Sequence, residues 1–152
     1  MVIAGVALVT IQLANLMSAS GRRWFMHLRR PRWLTFEWAI PVIWTVVFIC
    51  GTGSAWLVWR TAPGTRATWG LMGLYWLVEV AIALYTPVTC KLRSLVAGTV
   101  VGATGTLLGA MLAVLVWPLS RTAFLLLWPY LIWSPIGTYV TWAMVRLNPG
   151  NA

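Results

Sequence analysis

The amino-acid sequence predicts an all-α integral membrane protein, built as a bundle of five transmembrane helices. Hydrophobic residues make up 61% of the 152 residues and charged residues only 9%, whereas about a quarter of the residues in a soluble domain are charged. The apolar residues are gathered into five segments, each close to the roughly 20 residues with which a helix crosses a bilayer. The chain, 1–152, is therefore expected to form a single membrane domain.

Short linkers separate the five apolar segments, and this predicts that sequential helices are antiparallel neighbours. The segments span residues 2–19, 38–59, 68–86, 94–117 and 122–145. The first segment does not resemble a signal peptide, because no basic stretch precedes it. Pro87 and Pro118 follow the third and fourth segments, and since proline interrupts a helix, we expect both helices to end there.

A basic loop, residues 20–37, joins the first two segments and leads into a tryptophan-rich stretch. Six of the twelve Trp residues lie between positions 24 and 60. Tryptophan is enriched at the membrane–water boundary, so the loop is expected to climb into the bilayer with the other helices packed around it. Five Trp residues near segment ends are predicted to be interface anchors. They are Trp56, Trp59, Trp69, Trp117 and Trp142.

The formal net charge of +9 reflects membrane topology rather than nucleic-acid binding, because the basic residues lie in the gaps between apolar runs. With five crossings, eight of them share one side of the membrane and three the other. The eight are Arg22, Arg23, Arg29, Arg30, Arg32, Lys91, Arg93 and Arg146. The positive-inside rule then predicts an external N-terminus and a cytoplasmic C-terminus.

Four glycines of the fourth segment recur at spacings of four, three and four residues. They are Gly98, Gly102, Gly105 and Gly109. This spacing places them on one stripe of a helix, where small residues allow another helix to approach closely in lipid. Packing within the chain is one interpretation, and a homodimer interface is the other.

Few residues could carry out chemistry. Glu79 is the only acidic residue within a segment, and an intramembrane carboxylate indicates a polar pocket or a contact with a partner. His27, the only histidine, is either a solvated loop residue or a ligand for haem iron above a pocket. Cys50 and Cys90 lack the spacing of a disulfide framework or a metal site. Without a catalytic constellation, we predict a protein that is not an enzyme.

Three blocks of sequence carry motifs that are specific in combination. The first contains Trp24-Phe25, Leu28, Arg30-Pro31-Arg32-Trp33, Trp38 and Trp44. The second reads PYLIW at 129–133 and continues without a gap to RLN at 146–148, and the third is Tyr85-Thr86-Pro87. Together they resemble the TspO/translocator protein family, also called tryptophan-rich sensory proteins or peripheral-type benzodiazepine receptors, over nearly all of the chain after residue 20.

This resemblance implies a five-helix bundle, usually dimeric, with a pocket closed by the first loop and occupied by porphyrins or other flat aromatic ligands. The implied ligand-binding residues are Trp44, Phe48, Trp133 and Gly137 in the wall and Trp24, Pro31, Trp33 and Trp38 in the loop. No cofactor is obligatory, and porphyrin or haem is expected as a ligand. Val78, Ile82 and Thr141 stand where the family often has polar pocket residues.

Two functions follow as hypotheses. The first is a membrane receptor or carrier for a tetrapyrrole or similar planar ligand, in a bacterial inner membrane (cytoplasmic or photosynthetic), with a role in tetrapyrrole handling or in photosynthesis and stress regulation. The alternative is a structural or assembly subunit of a larger pigment–protein complex, and photochemical porphyrin degradation is a third reading. An open cavity between Trp44 and Trp133 favours the receptor, whereas a filled one favours the subunit.

Overall fold

The structure, a computed structural model, describes residues 19–151, and within them all regular secondary structure is helical. The helices are α1 Ala19–Met26, α2 Ile40–Thr61, α3 Arg66–Leu92, α4 Leu95–Val116, α5 Arg121–Leu126 and α6 Trp128–Leu147, with 3₁₀ turns at Glu37–Ala39 and Pro149–Asn151. Four stretches are long and apolar enough to cross a membrane: Glu37–Thr61, Arg66–Leu92, Leu95–Val116 and Arg121–Leu147. The all-helical membrane fold is confirmed. The fifth crossing stays a prediction, because residues 2–18 lie outside the described residues.

Hydroxyl side chains cap the starts of three helices. Thr65, Ser94 and Ser120 each accept a hydrogen bond from the backbone N–H three residues later, at the starts of α3, α4 and α5. Such a bond satisfies one of the N–H groups that a helix leaves unpaired at its first turn. Arg93 takes a left-handed backbone conformation (φ 48°) between α3 and α4, so the chain reverses within a few residues.

The prediction that Pro87 ends the third crossing is wrong, because α3 continues to Leu92 with Pro87 inside it. Proline lacks only the N–H that would bond the Ala83 carbonyl four residues earlier, and membrane helices tolerate such a loss.

Two further boundaries differ from the sequence prediction. The basic loop 20–37 is not entirely a loop, since α1 covers Ala19–Met26. The last crossing, predicted as one helix over 122–145, is broken at Leu127 into α5 and α6. Pro129 stands in the first turn of α6, where a missing N–H is tolerated but a continuous helix would lose a hydrogen bond.

Among the described crossings, α3 packs against α4 and α4 packs against α6, while α2 contacts α3, α5 and α6. The largest apolar core lies at the end of the bundle that holds the α2–α3 connection, around Val58, Leu112 and Val116. Within it, the Ser54 hydroxyl donates to the Ala123 carbonyl at 2.7 Å and lies 2.6 Å from the Tyr75 hydroxyl. These bonds join three crossings at one buried point.

The glycine stripe of α4 packs within the chain. A Cβ atom added at Gly98 would lie 2.5 Å from Thr89 Oγ1, and one at Gly102 would lie 2.8 Å from Thr138 Oγ1. Gly105 and Gly109 both face Tyr130. Because α3 and α6 already occupy this stripe, the structure favours packing within the chain over a homodimer interface through these four glycines.

Tryptophans near the helix ends are mostly exposed, as predicted for anchors at the bilayer interface. In three of them the ring contacts the guanidinium of a nearby arginine, which lies on the same helix end or follows the adjacent connection. The guanidinium-to-ring distances are 4.8 Å for Arg60–Trp56, 5.5 Å for Arg121–Trp117 and 4.0 Å for Arg146–Trp142. Cation–π contacts of this kind keep the arginine at the headgroup level while the ring meets lipid.

Candidate ligand cavity beneath the basic loop

A cavity of about 380 Å³ lies inside the bundle, at the opposite end from the main apolar core. All four described crossings contribute to its wall, and the segment 24–39 contributes Phe25, Arg30, Leu34 and Glu37. This segment, which we call the lid, comprises the end of α1, the basic loop and the 3₁₀ turn. The antiparallel order brings the start of α2, the end of α3, the start of α4 and the end of α6 to the lid end.

Aromatic rings from two helices form the main walls. Trp44 and Phe48 stand one turn apart on α2, with ring centroids separated by 6.1 Å. Trp133 on α6 is buried and meets Phe36 of the lid edge-on at 6.3 Å. Gly137, one turn beyond Trp133, also lines the cavity, and no other atom lies within 4 Å of where its Cβ would be. The structure therefore brings together all four wall residues named from the sequence.

The remaining wall carries hydroxyl groups, of which only Thr141 was named as a pocket position from the sequence. The Tyr85 and Thr141 hydroxyls lie 2.5 Å apart, and the Ser134 hydroxyl lies 2.8 Å from that of Thr106, which is not a lining residue. Tyr130 also lines the cavity, and its buried hydroxyl forms no hydrogen bond within the described part of the chain. A row of Ser and Thr at positions 134, 138 and 141 was the available signal, since these spacings share one helix face.

The structure places the three positions where the family is often polar in two different environments. Thr141 and Ile82 line the cavity, whereas Val78 is buried in the apolar core. The loss of a polar group at Val78 therefore leaves the cavity unchanged, and Thr141 with Tyr85 supplies hydroxyl groups at the lid end.

Two charged residues, Arg30 and Glu37, complete the lining beneath the lid. They form a salt bridge through Arg30 Nη1 and Glu37 Oε2. The Arg30 guanidinium also lies 5.9 Å from the centre of the Phe25 ring, and its Nη2 lies 3.7 Å from the sulfur of Met26. Contacts on several sides hold this cation at the cavity mouth.

Asn148 fastens the lid to the end of α6. Its Oδ1 accepts from the Arg29 N–H at 2.9 Å, and its Nδ2 donates to the Arg29 carbonyl at 2.9 Å and to the Met144 carbonyl at 2.8 Å. Leu28 packs beside it against Leu95 and Met144. Asn148 belongs to the RLN motif, and no role for it was apparent from the sequence.

The other lid residues named from the sequence lie outside the cavity wall. Trp38 is 79% exposed, and Trp33 is exposed and stacks on Tyr139 at 6.1 Å. Pro31 is buried within the lid, and Trp24 packs with the Leu28 cluster. The lid instead turns Leu34 and Phe36 inward. The prediction that the other four line the cavity is therefore wrong for the lid as the structure describes it.

Glu79 and His27 are also outside the wall. His27 is exposed, and its Nδ1 donates to the Arg23 carbonyl at 2.7 Å. Glu79 is half-buried on α3, with no salt-bridge or hydrogen-bond partner within residues 19–151. The structure thus brings neither residue to the cavity.

Comparison with known proteins agrees with this architecture. The model of the TspO/MBR family matches residues 1–147. The chain is similar to Protein CrtK of Rhodobacter capsulatus, with 30% identity over 130 residues that cover 84% of this chain and 80% of that protein. It is also similar to the uncharacterized membrane protein YtaB of Bacillus subtilis, with 25% identity over 154 residues that cover 96% of this chain and 97% of that protein.

Proposed function

Because this chain belongs to the TspO/MBR family of membrane proteins, we propose that it is a receptor or carrier for a tetrapyrrole or another planar apolar ligand. The ligand binds in the cavity beneath the lid, and the protein serves in tetrapyrrole handling or in the regulation of photosynthesis and stress responses. It acts by binding, not by catalysis, in a bacterial inner membrane.

The observation that carries this proposal is the pair of aromatic walls. Trp44 and Phe48 on α2 and Trp133 on α6 line one cavity, so a flat ligand can lie against indole rings from two helices. Aromatic pairs gain about 0.5–1.5 kcal/mol each beyond the burial of apolar area. The hydroxyls of Tyr85, Thr141 and Ser134 would orient polar groups at the ligand edge, as the few polar groups of a largely apolar pocket do.

The size of the cavity constrains how the ligand enters. A volume of about 380 Å³ is near the lower end of the roughly 300–1,000 Å³ found for pockets that hold drug-sized ligands. A planar ligand can lie beneath the lid, but a complete tetrapyrrole macrocycle can enter only while the lid is displaced outward. The proposal therefore includes opening of the lid.

The test is a titration of the purified protein with protoporphyrin in mild detergent, followed through quenching of Trp fluorescence. We expect saturable micromolar binding that weakens by more than about tenfold in Trp44→Ala and Trp133→Ala, as for a buried Trp at a binding hot spot. Trp128→Ala is the matched control, because Trp128 lies on α6 but is exposed and outside the cavity. Equal binding by all four proteins would contradict the proposal.

The cavity, which the described side chains leave unfilled, favours the receptor over an assembly subunit whose own side chains would fill this space. The same purification separates the two functions. Absence of porphyrin binding together with co-purification of larger membrane subunits would support the assembly subunit. New absorption bands from the bound porphyrin under illumination would instead support photochemical degradation.

We also propose that the lid end faces the cytoplasm. The basic loop, the α3–α4 connection and the C-terminal end of α6 lie at this end, and they contain eight of the eleven basic residues. The positive-inside rule favours this orientation. A C-terminal reporter fusion that is active only in the periplasm would overturn it.

A further inference from the structure

The charged residues of the cavity lie at one place. Of the described residues that line it, only Arg30 and Glu37 carry charge, and they are paired with each other. Their side chains are 27% and 36% exposed, so both remain reachable. A cation at the rim of an apolar cavity can bind an anionic group of a ligand that lies in the cavity.

The Arg30 guanidinium has donors beyond those that Glu37 occupies. A guanidinium presents five N–H groups in a planar fork. Only Nη1 contacts Glu37, while Nη2 points to the Met26 sulfur, which is a weak acceptor. A carboxylate that arrives from the cavity can therefore share or replace the Glu37 contact and form the two parallel hydrogen bonds that favour arginine–carboxylate pairing.

The backbone on both sides of Arg30 is held in place. Asn148 pairs with both the N–H and the carbonyl of Arg29 at 2.9 Å, and the following Pro31 is buried. The guanidinium therefore extends from a fixed point toward the cavity, and little additional ordering is required when a ligand binds.

We propose that Arg30 determines the specificity of the cavity by binding a peripheral carboxylate of the planar ligand, and that Glu37 is the internal carboxylate which the ligand replaces. This inference rests on the proposed function and deepens it, because it restricts the ligand class to flat apolar molecules with at least one carboxylate at the edge. The apolar body lies between the aromatic walls, while the carboxylate remains at the partly exposed rim. A neutral ester of the same body loses the arginine contact.

The experiment compares protoporphyrin IX with its dimethyl ester on the full-length protein in detergent. For each ligand the affinity of every variant is divided by that of the unmodified protein, so different partitioning into micelles cancels. In Arg30→Gln the diacid is expected to bind about tenfold more weakly, as the loss of a charged hydrogen bond predicts, while ester affinity stays unchanged. In Glu37→Gln the diacid is expected to bind several-fold more tightly, because its internal competitor is neutral.

Arg32→Gln is the matched control. It removes the same charge from the same loop, but Arg32 is exposed and outside the cavity wall. Equal weakening of diacid binding by Arg32→Gln and Arg30→Gln would reduce the effect to general attraction by the basic loop and overturn the proposal. Equal weakening of both ligands by Arg30→Gln would overturn it too, by showing a structural role for Arg30.

Two outcomes separate this inference from the proposed function. If neither ligand binds, the proposed function fails. If Arg30→Gln leaves diacid binding unchanged while Trp133→Ala weakens it, the cavity function stands and the role of Arg30 is wrong.

Should Arg30→Gln not fold, Arg30→Lys retains the charge without the planar fork. It is then expected to weaken diacid binding several-fold with ester binding unchanged, and no change for the diacid would overturn the proposal.

Discussion

The two ends of the bundle are stabilised in different ways. The end at the α2–α3 connection is a continuous apolar core in which Val58 and Val116 are fully buried. The lid end surrounds a cavity of about 380 Å³ and is closed by a segment that is held through a few directional contacts. The main ones are the Asn148 hydrogen bonds and the Arg30–Glu37 salt bridge.

This difference suggests that folding stability and ligand binding are located at opposite ends. Close packing at the core end resists change, because interiors tolerate neither voids nor extra atoms. The lid end, with fewer apolar contacts, can open locally without unfolding of the bundle. Tyr130 belongs to both ends, since it is part of the apolar core and also lines the cavity.

The largest effect is expected for Gly109→Ala, at the contact that joins the two ends. A Cβ atom at this position would overlap the ring of Tyr130. Because the ring is buried, we expect a loss of about 3 kcal/mol in the free energy of unfolding, at the upper end of the cost of overpacking. Circular dichroism during titration with sodium dodecyl sulfate measures the change. Gly70→Ala is the control, because nothing lies within 4 Å of its added Cβ, and an equal loss there would contradict the packing explanation.

A smaller loss of stability is expected for Ser54→Ala in the core. The substitution removes the Ser54 hydroxyl from between Tyr75 and Ala123, and it leaves buried polar groups unsatisfied at a cost of about 1–3 kcal/mol. The same titration measures stability, and porphyrin quenching measures binding. Unchanged affinity is expected, because neither Ser54 nor Tyr75 lines the cavity. A clear change in affinity would show that the two ends are coupled.

The same contrast explains what the sequence could predict. Hydropathy and segment length identified the four crossings that the structure describes, because lipid imposes an apolar run of set length on every helix. Family motifs named Trp44 and Trp133, helical spacing added Phe48 and Gly137, and the structure places all four in the cavity wall. Such features belong to a single helix or motif and can be read locally.

Features that depend on contacts between distant residues were missed. The Asn148–Arg29 hydrogen bonds join positions 119 residues apart, and no local pattern indicates that pairing. The directions of the lid side chains could not be predicted either. An irregular loop has no fixed periodicity, so the sequence does not show that Leu34 faces inward while Trp33 stays outside. Pro87 was misread because the rule that proline ends a helix holds less strictly in membranes, where α3 continues through this residue to Leu92.

At the lid end, Asn148→Ala is expected to affect opening more than folding. The loss of its bonds to Arg29 reduces the free energy of lid closure by about 1 kcal/mol. We expect faster trypsin cleavage within residues 29–32 and faster ligand release, with a nearly unchanged detergent midpoint for the bundle. Asn148→Asp retains the acceptor for the Arg29 N–H but loses both Nδ2 donors, so it should give an intermediate cleavage rate. Equal cleavage of all three proteins would show that other contacts close the lid.

The smallest effect is expected for Trp33→Ala, and this prediction separates support of the lid from contact with the ligand. Trp33 is 47% exposed and stacks on Tyr139, which is also exposed. An exposed aromatic pair contributes about 0.5 kcal/mol, so porphyrin affinity should change less than about threefold. A loss as large as that of Trp133→Ala would show that Trp33 reaches the ligand once the lid has moved. Since the family motif implied such a contact while the closed lid turns this ring outward, the result decides whether ligand binding rearranges the lid or leaves it as the structure shows it.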